Sequence, residues 1–338
     1  MESPELSTEL LGKPAPHAVR LIAVARLAEV SSTYERLWAG DEEDVHDLRV
    51  ALRRLRSWLR AFRPELDDTL RRKSRRRLSG LATVTGSARD AEVALEWIAS
   101  QTDLTPRERP GARYITERLQ RDLEAARRTV RDALEGDLPK LLTSLSGQLG
   151  TYWQRQSLEE PSAPNDMLTV TRDVLQQHAE RFAKAIERIE SPTDVVAAHR
   201  ARIAAKRLRY LLETLNGDSD TAAIVARLTE LQEVLGVVHD SHRVAARLVR
   251  EIGECAARDA RRTALAALEL GAEEDDEMPP FARIKPGLMG LARRAHRGER
   301  KAFSTFQRRW RKRQVESAVA EISAIAEALE AGPVATDG

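Results

Sequence analysis

The stretch Val45-His46-Asp47-Leu48-Arg49-Val50-Ala51-Leu52-Arg53-Arg54-Leu55-Arg56 returns 153 positions later as Ala198-His199-Arg200-Ala201-Arg202-Ile203-Ala204-Ala205-Lys206-Arg207-Leu208-Arg209. Both copies read His-x-x-Arg-x-x-x-(Arg/Lys)-Arg-Leu-Arg. In the first, Leu48, Leu52, Leu55, Trp58, Leu59 and Phe62 recur at the three-to-four-residue spacing of an amphipathic helix. In the second, Ala205, Leu208, Leu211 and Leu212 do the same. The stretch therefore predicts a core-facing helix, and its return predicts two related halves.

Wound at about 100° per residue, His46, Arg49, Arg53, Arg56 and Arg60 share one side of the first helix, opposite the apolar stripe. Arg54 lies alone on the other flank. His199, Arg202, Lys206 and Arg209 align in the second copy. Solvated helices normally interleave charges, because opposite signs four apart stabilise and like signs cost similar amounts. Here the only carboxylate between 46 and 63 is Asp47, off the basic row, and 198–210 has none. Such a row, kept in both halves, requires carboxylates from neighbouring helices or an anionic ligand. Asp90 and Asp240, one per half, suit the orientation of particular arginines but are too few to neutralise both rows.

Outward from the repeated helix, Arg77-Leu78 and Gly86-x-x-Arg89-Asp90-x-x-Val93 match Arg227-Leu228 and Gly236-x-x-His239-Asp240-x-x-Arg243, now 150 apart. A third match, Ala126-Arg127-Arg128-x-x-Arg131 with Ala292-Arg293-Arg294-x-x-Arg297, carries little weight in so Arg-rich a chain. The acidic run Glu273 to Glu277 accounts for the larger offset there. The composition is rich in Ala, Leu, Arg and Glu, without strand-like alternation, so the expected fold is all-α. Cap and breaker signals predict helices over 17–38, 44–63, 67–100 and 112–154, and again over 166–190, 194–215, 220–270 and 284–331. Two four-helix bundles related by a pseudo-two-fold follow: 17–156 and 166–331, joined by a linker at 157–165 and flanked by tails at 1–16 and 332–338.

The chain has 338 residues, of which 55 are Lys or Arg and 53 Asp or Glu, a formal charge of +2. That length supports a sizeable core, and the near-zero sum argues against a generic basic coat on nucleic acid. The single Cys255 excludes an internal disulfide and points to a reducing compartment. The first residues carry neither a basic n-region nor an apolar h-region, and no apolar run approaches about 18 residues. The expectation is a cytoplasmic protein without a membrane partner.

Arginine supplies a planar fork of donors suited to phosphate oxygens, and a row of such forks fits an extended chain of phosphates. No G-x-x-x-x-G-K-S/T cradle is present, so a nucleotide pocket is unsupported. Readers of single-stranded RNA use aromatic platforms, whereas Trp58 and Phe62 belong to the apolar stripe. A polyanion without bases fits better than nucleic acid, which stays as the alternative partner.

The paired His-x-x-Arg-x-x-x-(Arg/Lys)-Arg-Leu-Arg helices, each followed by Gly-x-x-(Arg/His)-Asp, resemble the CHAD domain, the conserved histidine α-helical domain, over about residues 15–330. The resemblance implies two four-helix bundles and inorganic polyphosphate held on a basic central surface, with association to polyphosphate granules. The binding residues it implies are His46, Arg49, Arg53, Arg54, Arg56, His199, Arg202, Lys206, Arg207 and Arg209. Arg60 is added from the helical wheel. The Glu-x-Glu-x-Lys strands of the triphosphate tunnel domain, a frequent companion in this family, do not occur. Binding without catalysis and without a cofactor is the expectation, with a polyphosphate hydrolase or phosphotransferase as the less favoured alternative.

His46 and His199 read as ligand contacts or positioning groups, since no activating base accompanies them. His239-x-x-His242 has a spacing that two metal ligands can use, but lacks a definite third. The runs Arg71-Arg72-Lys73 and Arg75-Arg76-Arg77 form an auxiliary basic patch or a solvated face, as do Arg308-Arg309 and Arg311-Lys312-Arg313. Glu273 to Glu277 reads as a solvated loop.

Overall fold

Leu48, Leu52, Leu55, Trp58, Leu59 and Phe62 are all 3% exposed or less, so the apolar stripe of the first repeated helix lies in the core. Trp58 satisfies its indole N–H there by donating to the Val19 carbonyl at 3.0 Å. Ala205, Leu208 and Leu212 are fully buried in the second copy. The computed structural model describes residues 5–39, 44–156, 165–215, 219–268, 280–310 and 312–330. Residues 157–164 of the expected 157–165 linker, the Asn216-Gly217 breaker, the acidic run 273–277, Arg311 and both chain ends lie outside the described residues.

The protein is all-α, with no strand among the described residues. In order the helices are α1 (Thr8–Leu11), α2 (Ala15–Ala39), α3 (Asp44–Ala61), α4 (Arg72–Ala99), α5 (Arg109–Gln156), α6 (Met167–Glu187), α7 (Val195–Leu212), α8 (Ser219–Ala267), α9 (Phe281–Arg309) and α10 (Lys312–Ala328). Thr105 and Glu108 open α5 as a capping pair, the Glu108 carboxylate accepting from the Thr105 N–H and hydroxyl, each at 2.9 Å. Asp166 caps α6 by accepting from the Thr169 N–H at 2.8 Å.

Three boundaries differ from the sequence expectation. The predicted helix over 284–331 is two helices, because the backbone leaves the helical region at Trp310 (φ −120°, ψ 56°), whose ring is buried against Phe182. The helix expected from 67 begins at Arg72, after a 3-10 turn at Pro64–Leu66, because Leu66 and Leu70 both turn into the core at that corner. The short α1 lies where a tail was expected, and Leu6 beside it is buried, its N–H donating to the Thr214 carbonyl at 2.6 Å.

Helices α2, α3, α4 and α5 pack round one another in a closed ring, and α6, α7, α8 and α10 form a second. Facing contacts of α3 with α7 and of α2 with α6 join the two. The α4–α5 and α8–α9 hairpins run on as arms that pack together over a separate core of Ile98, Ile115, Leu119, Leu248, Ile284 and Leu288. At their crossing Gly111 and Gly287 touch backbone to backbone. A Cβ on Gly111 would overlap the Ile284 carbonyl, and one on Gly287 the Glu108 carbonyl. Among the described residues, no helix is long and apolar enough to cross a membrane.

Candidate functional site

With their apolar stripes buried on opposite sides, α3 and α7 turn their basic rows toward each other. Together with α4 they enclose a cleft of ≈ 240 Å³. From α3 come Arg49, Arg53, Arg56 and Arg60, and from α7 Arg202, Lys206 and Arg207. Thr85 and Gly86 of α4 floor it, and a Cβ on Gly86 would meet open space. Gly86 and its counterpart Gly236 thus mark where a helix backbone lies open or is covered only by an arginine, Arg202 lying over Gly236.

None of these seven cations has a carboxylate within ion-pairing distance among the described residues. Their electrostatics register the crowding. Burial pushes the Lys206 ammonium down to about 7, helped by Arg202, Arg53, Arg209 and Arg49. Burial also lowers Arg207 to about 10, with Arg60 and Arg56 across the cleft adding to it. Arg49 is lowered by burial and by Arg53, only partly offset by Glu92 and Asp90. Arg56 is lowered by burial and by Arg60. The Nε atoms of Arg53 and Arg202 are buried without a hydrogen-bond partner.

Two residues of the repeated motif turn elsewhere. Arg54 spans the halves, its guanidinium 3.4 Å from Glu29 of α2 and 3.7 Å from Glu213 at the end of α7. Arg209 pairs with the same Glu213 at 3.4 Å and donates to the Thr229 hydroxyl at 3.3 Å. Beneath them Arg26, 3% exposed, donates to the Thr214 hydroxyl at 2.6 Å and leaves Nε and Nη1 unpartnered. Burial lowers it to about 10 despite Glu29.

The histidines divide as well. His46 is exposed near the start of α3. His199 stacks on His239 of α8, ring centroids 4.5 Å apart, and both Nδ1 atoms are buried without partners. Burial, the other imidazole and Arg202 push His239 down to about 4, and His199 is lowered by burial, Arg202, Arg243 and Lys206. Its neighbour in the sequence motif, His242, instead hydrogen-bonds Glu299 at 3.0 Å, so the two imidazoles of His239-x-x-His242 take separate partners. No group of three His, Cys, Asp or Glu among the described residues is arranged to hold a metal ion.

Asp90 pairs with Arg243 of the other half at 2.6 Å, whereas Asp240 is half-buried, near Arg202, and raised by desolvation. Two arginines of the third sequence match are held by carboxylates: Arg127 faces Glu92 at 3.5 Å, and Arg294 holds Asp103 at 2.5 Å and Glu108 at 3.3 Å. In the later basic patch, Arg309 is paired with Glu230. Sequence reasoning did not find His239 as the stacking partner of His199, nor Arg26 under Arg54. The Gly-x-x-His-Asp match was the available signal for the former.

The described residues thus define an all-α protein in which one basic helix from each sequence-related half lines a shared cleft. The chain belongs to the CHAD domain family, whose profile matches residues 22–250. It is similar to the crystal structure of the CHAD domain from the plant Ricinus communis, with 25% identity and a TM-score of 0.61, over 85% of this chain and 95% of that one. It also shares its fold with PptA from Streptomyces chartreusis, at 16% identity and a TM-score of 0.64, over 88% and 99% of the two chains. No curated protein matches the sequence.

Proposed function

We propose that the chain binds inorganic polyphosphate in the α3–α7 cleft without cleaving it, and through it associates with polyphosphate granules. The observation that carries this reading is the convergence of seven cations from both halves with no contacting carboxylate among the described residues. An anionic polymer supplies the missing counter-charge, each guanidinium–phosphate hydrogen bond being worth about 1.5–3 kcal/mol before desolvation and ordering costs. Granule association rests on the family resemblance alone.

Two features favour a base-free polymer over nucleic acid. Trp58 and Phe62 are 2% and 1% exposed, and Tyr210, 5% exposed at the cleft wall, lies under the Arg209 guanidinium. None offers a free face for stacking a base. The non-catalytic reading is supported by His199, whose charged neighbours are cations rather than an activating carboxylate.

Titration of labelled long-chain polyphosphate, with duplex DNA and RNA as competitors at equal phosphate concentration, tests the reading. Polyphosphate is expected to win, and Arg49→Glu, Arg53→Glu, Arg202→Glu and Lys206→Glu together should abolish retention while helical content is kept. Displacement by nucleic acid would transfer the site to the rival class. Orthophosphate release dependent on His199 would replace binding with catalysis.

A further inference from the structure

The basic run that opens α4 adjoins the cleft. A groove of ≈ 300 Å³ at the corner between α3 and α4 is lined by Arg56, Arg60 and Arg63 from one side and Arg72, Arg75 and Arg76 from the other. Arg56 and Arg60 also line the central cleft, so the two basic surfaces are continuous. Among the described residues Asp67 is the one acidic group paired there, taking Arg75 at 2.6 Å and Arg63 at 3.3 Å. The guanidiniums of Arg72 and Arg76 are exposed and have no carboxylate partner among the described residues.

Their position is electrostatically unfavourable for the empty protein. The first turn of α4 has no acidic residue and its N-cap position, Arg71, provides no side-chain cap. Cations at that end oppose the helix dipole, while an anion there is favoured. The other half shows what the same corner looks like without this demand. At the 150-residue offset, Arg72, Lys73, Arg75 and Arg76 correspond to Ala222, Ala223, Val225 and Ala226, and the first turn of α8 carries Asp220. The paired Arg77 and Arg227 also differ in use, since Arg227 is held by Glu321 at 2.6 Å.

We propose that the polyanion track leaves the central cleft on one side only and continues over the α3–α4 corner, with Arg72 and Arg76 as a second subsite that only a long linear polyphosphate reaches. This rests on the polyphosphate reading above and adds a chain-length determinant to it. A short polymer fills the cleft alone, while a long one spans cleft and corner.

The test is binding of long-chain polyphosphate and of tripolyphosphate to the full chain, unaltered and as two double variants. Arg72→Ala with Arg76→Ala is expected to weaken the long polymer about tenfold and tripolyphosphate less than about twofold, the loss of two exposed charge-assisted contacts. Arg71→Ala with Lys73→Ala removes the same charge from the same turn outside the groove, and should weaken either ligand less than about twofold. Equal losses for both polymers, or equal effects of the two double variants, would overturn the corner subsite and leave the cleft reading standing. Failure of the unaltered chain to bind either polymer would overturn both.

Discussion

Replacing Lys206 by Met should make the empty protein more stable and a poorer ligand binder at once. The ammonium lies among Arg202, Arg53, Arg209 and Arg49, and burial with this repulsion holds it at about 7, against 10.5 for an ordinary lysine. A base whose folded-state value lies below its unfolded value costs stability when protonated. That cost is complete below pH 7, declines as pH rises from 7 to 10.5, and is gone above. At about 1.36 kcal/mol per unit the displacement corresponds to a few kcal/mol, and Met keeps the apolar stem while removing the charge. A gain of about 3 kcal/mol at pH 6 is expected, seen as a rise in melting temperature of roughly 5 °C and shrinking toward nothing by pH 10. Ligand binding should show the mirror image. Polyphosphate favours the ammonium, so affinity of the unaltered chain should fall about tenfold between pH 6 and pH 8 through this one proton, and the Met variant should lose that dependence. Thermal melts and titrations across pH measure both. A Met variant less stable than its parent at pH 6, or a gain equal at pH 6 and pH 10, would refute the reasoning.

Arg54→Ala removes the ion-pair partner of Glu29 and leaves Glu213 with Arg209 alone, so about 1–3 kcal/mol of stability should be lost in denaturant melts, with polyphosphate affinity of the folded protein changed less than about threefold. Arg53→Ala, one position away, should do the reverse: near-neutral in melts, weaker in titrations by about tenfold. Gly287→Ala forces a methyl into the Glu108 carbonyl at the crossing of the arms and should cost more than about 2 kcal/mol, while Gly86→Ala, facing open space inside α4, should stabilise by up to about 1 kcal/mol. Polyphosphate affinity should fall steeply with salt. Seven cleft contacts give a log–log slope of about −5 by the single-strand relation, and a slope shallower than −2 would mean that few of them engage.

The phase of the repeated helices was legible because apolar spacing and charge spacing agreed in both copies, from Leu48 to Phe62 and from Ala205 to Leu212. Phase also separated Arg54 from its neighbours, although the motif grouped it with them. What lay beyond reach was the acid that claims it, because Glu29 and Glu213 sit on different helices of different halves. The convergence of the rows was implied by the family resemblance, but the near-neutral Lys206 depends on how closely α7 approaches Arg49 and Arg53 across the cleft. The break at Trp310 had no proline or glycine to announce it; burial of one indole overrides local propensity there. The basic run at 71–77 could not be distinguished from a solvated face until Arg56 and Arg60 joined it to the cleft.

A linear phosphate polymer has two identical ends and no direction of its own. A symmetric pair of identical subunits would have to offer it the same corner at each end of the cleft. One covalent chain with two diverged halves is free of that constraint, and positions 72–76 differ from 222–226 accordingly. A polymer lying along this track would acquire a leading and a trailing end, one gripped past the corner and the other released at an alanine-lined edge. Orientation would thus be imposed on an undirected ligand by the protein alone, which would leave one terminus systematically more accessible to whatever lengthens or trims the chain.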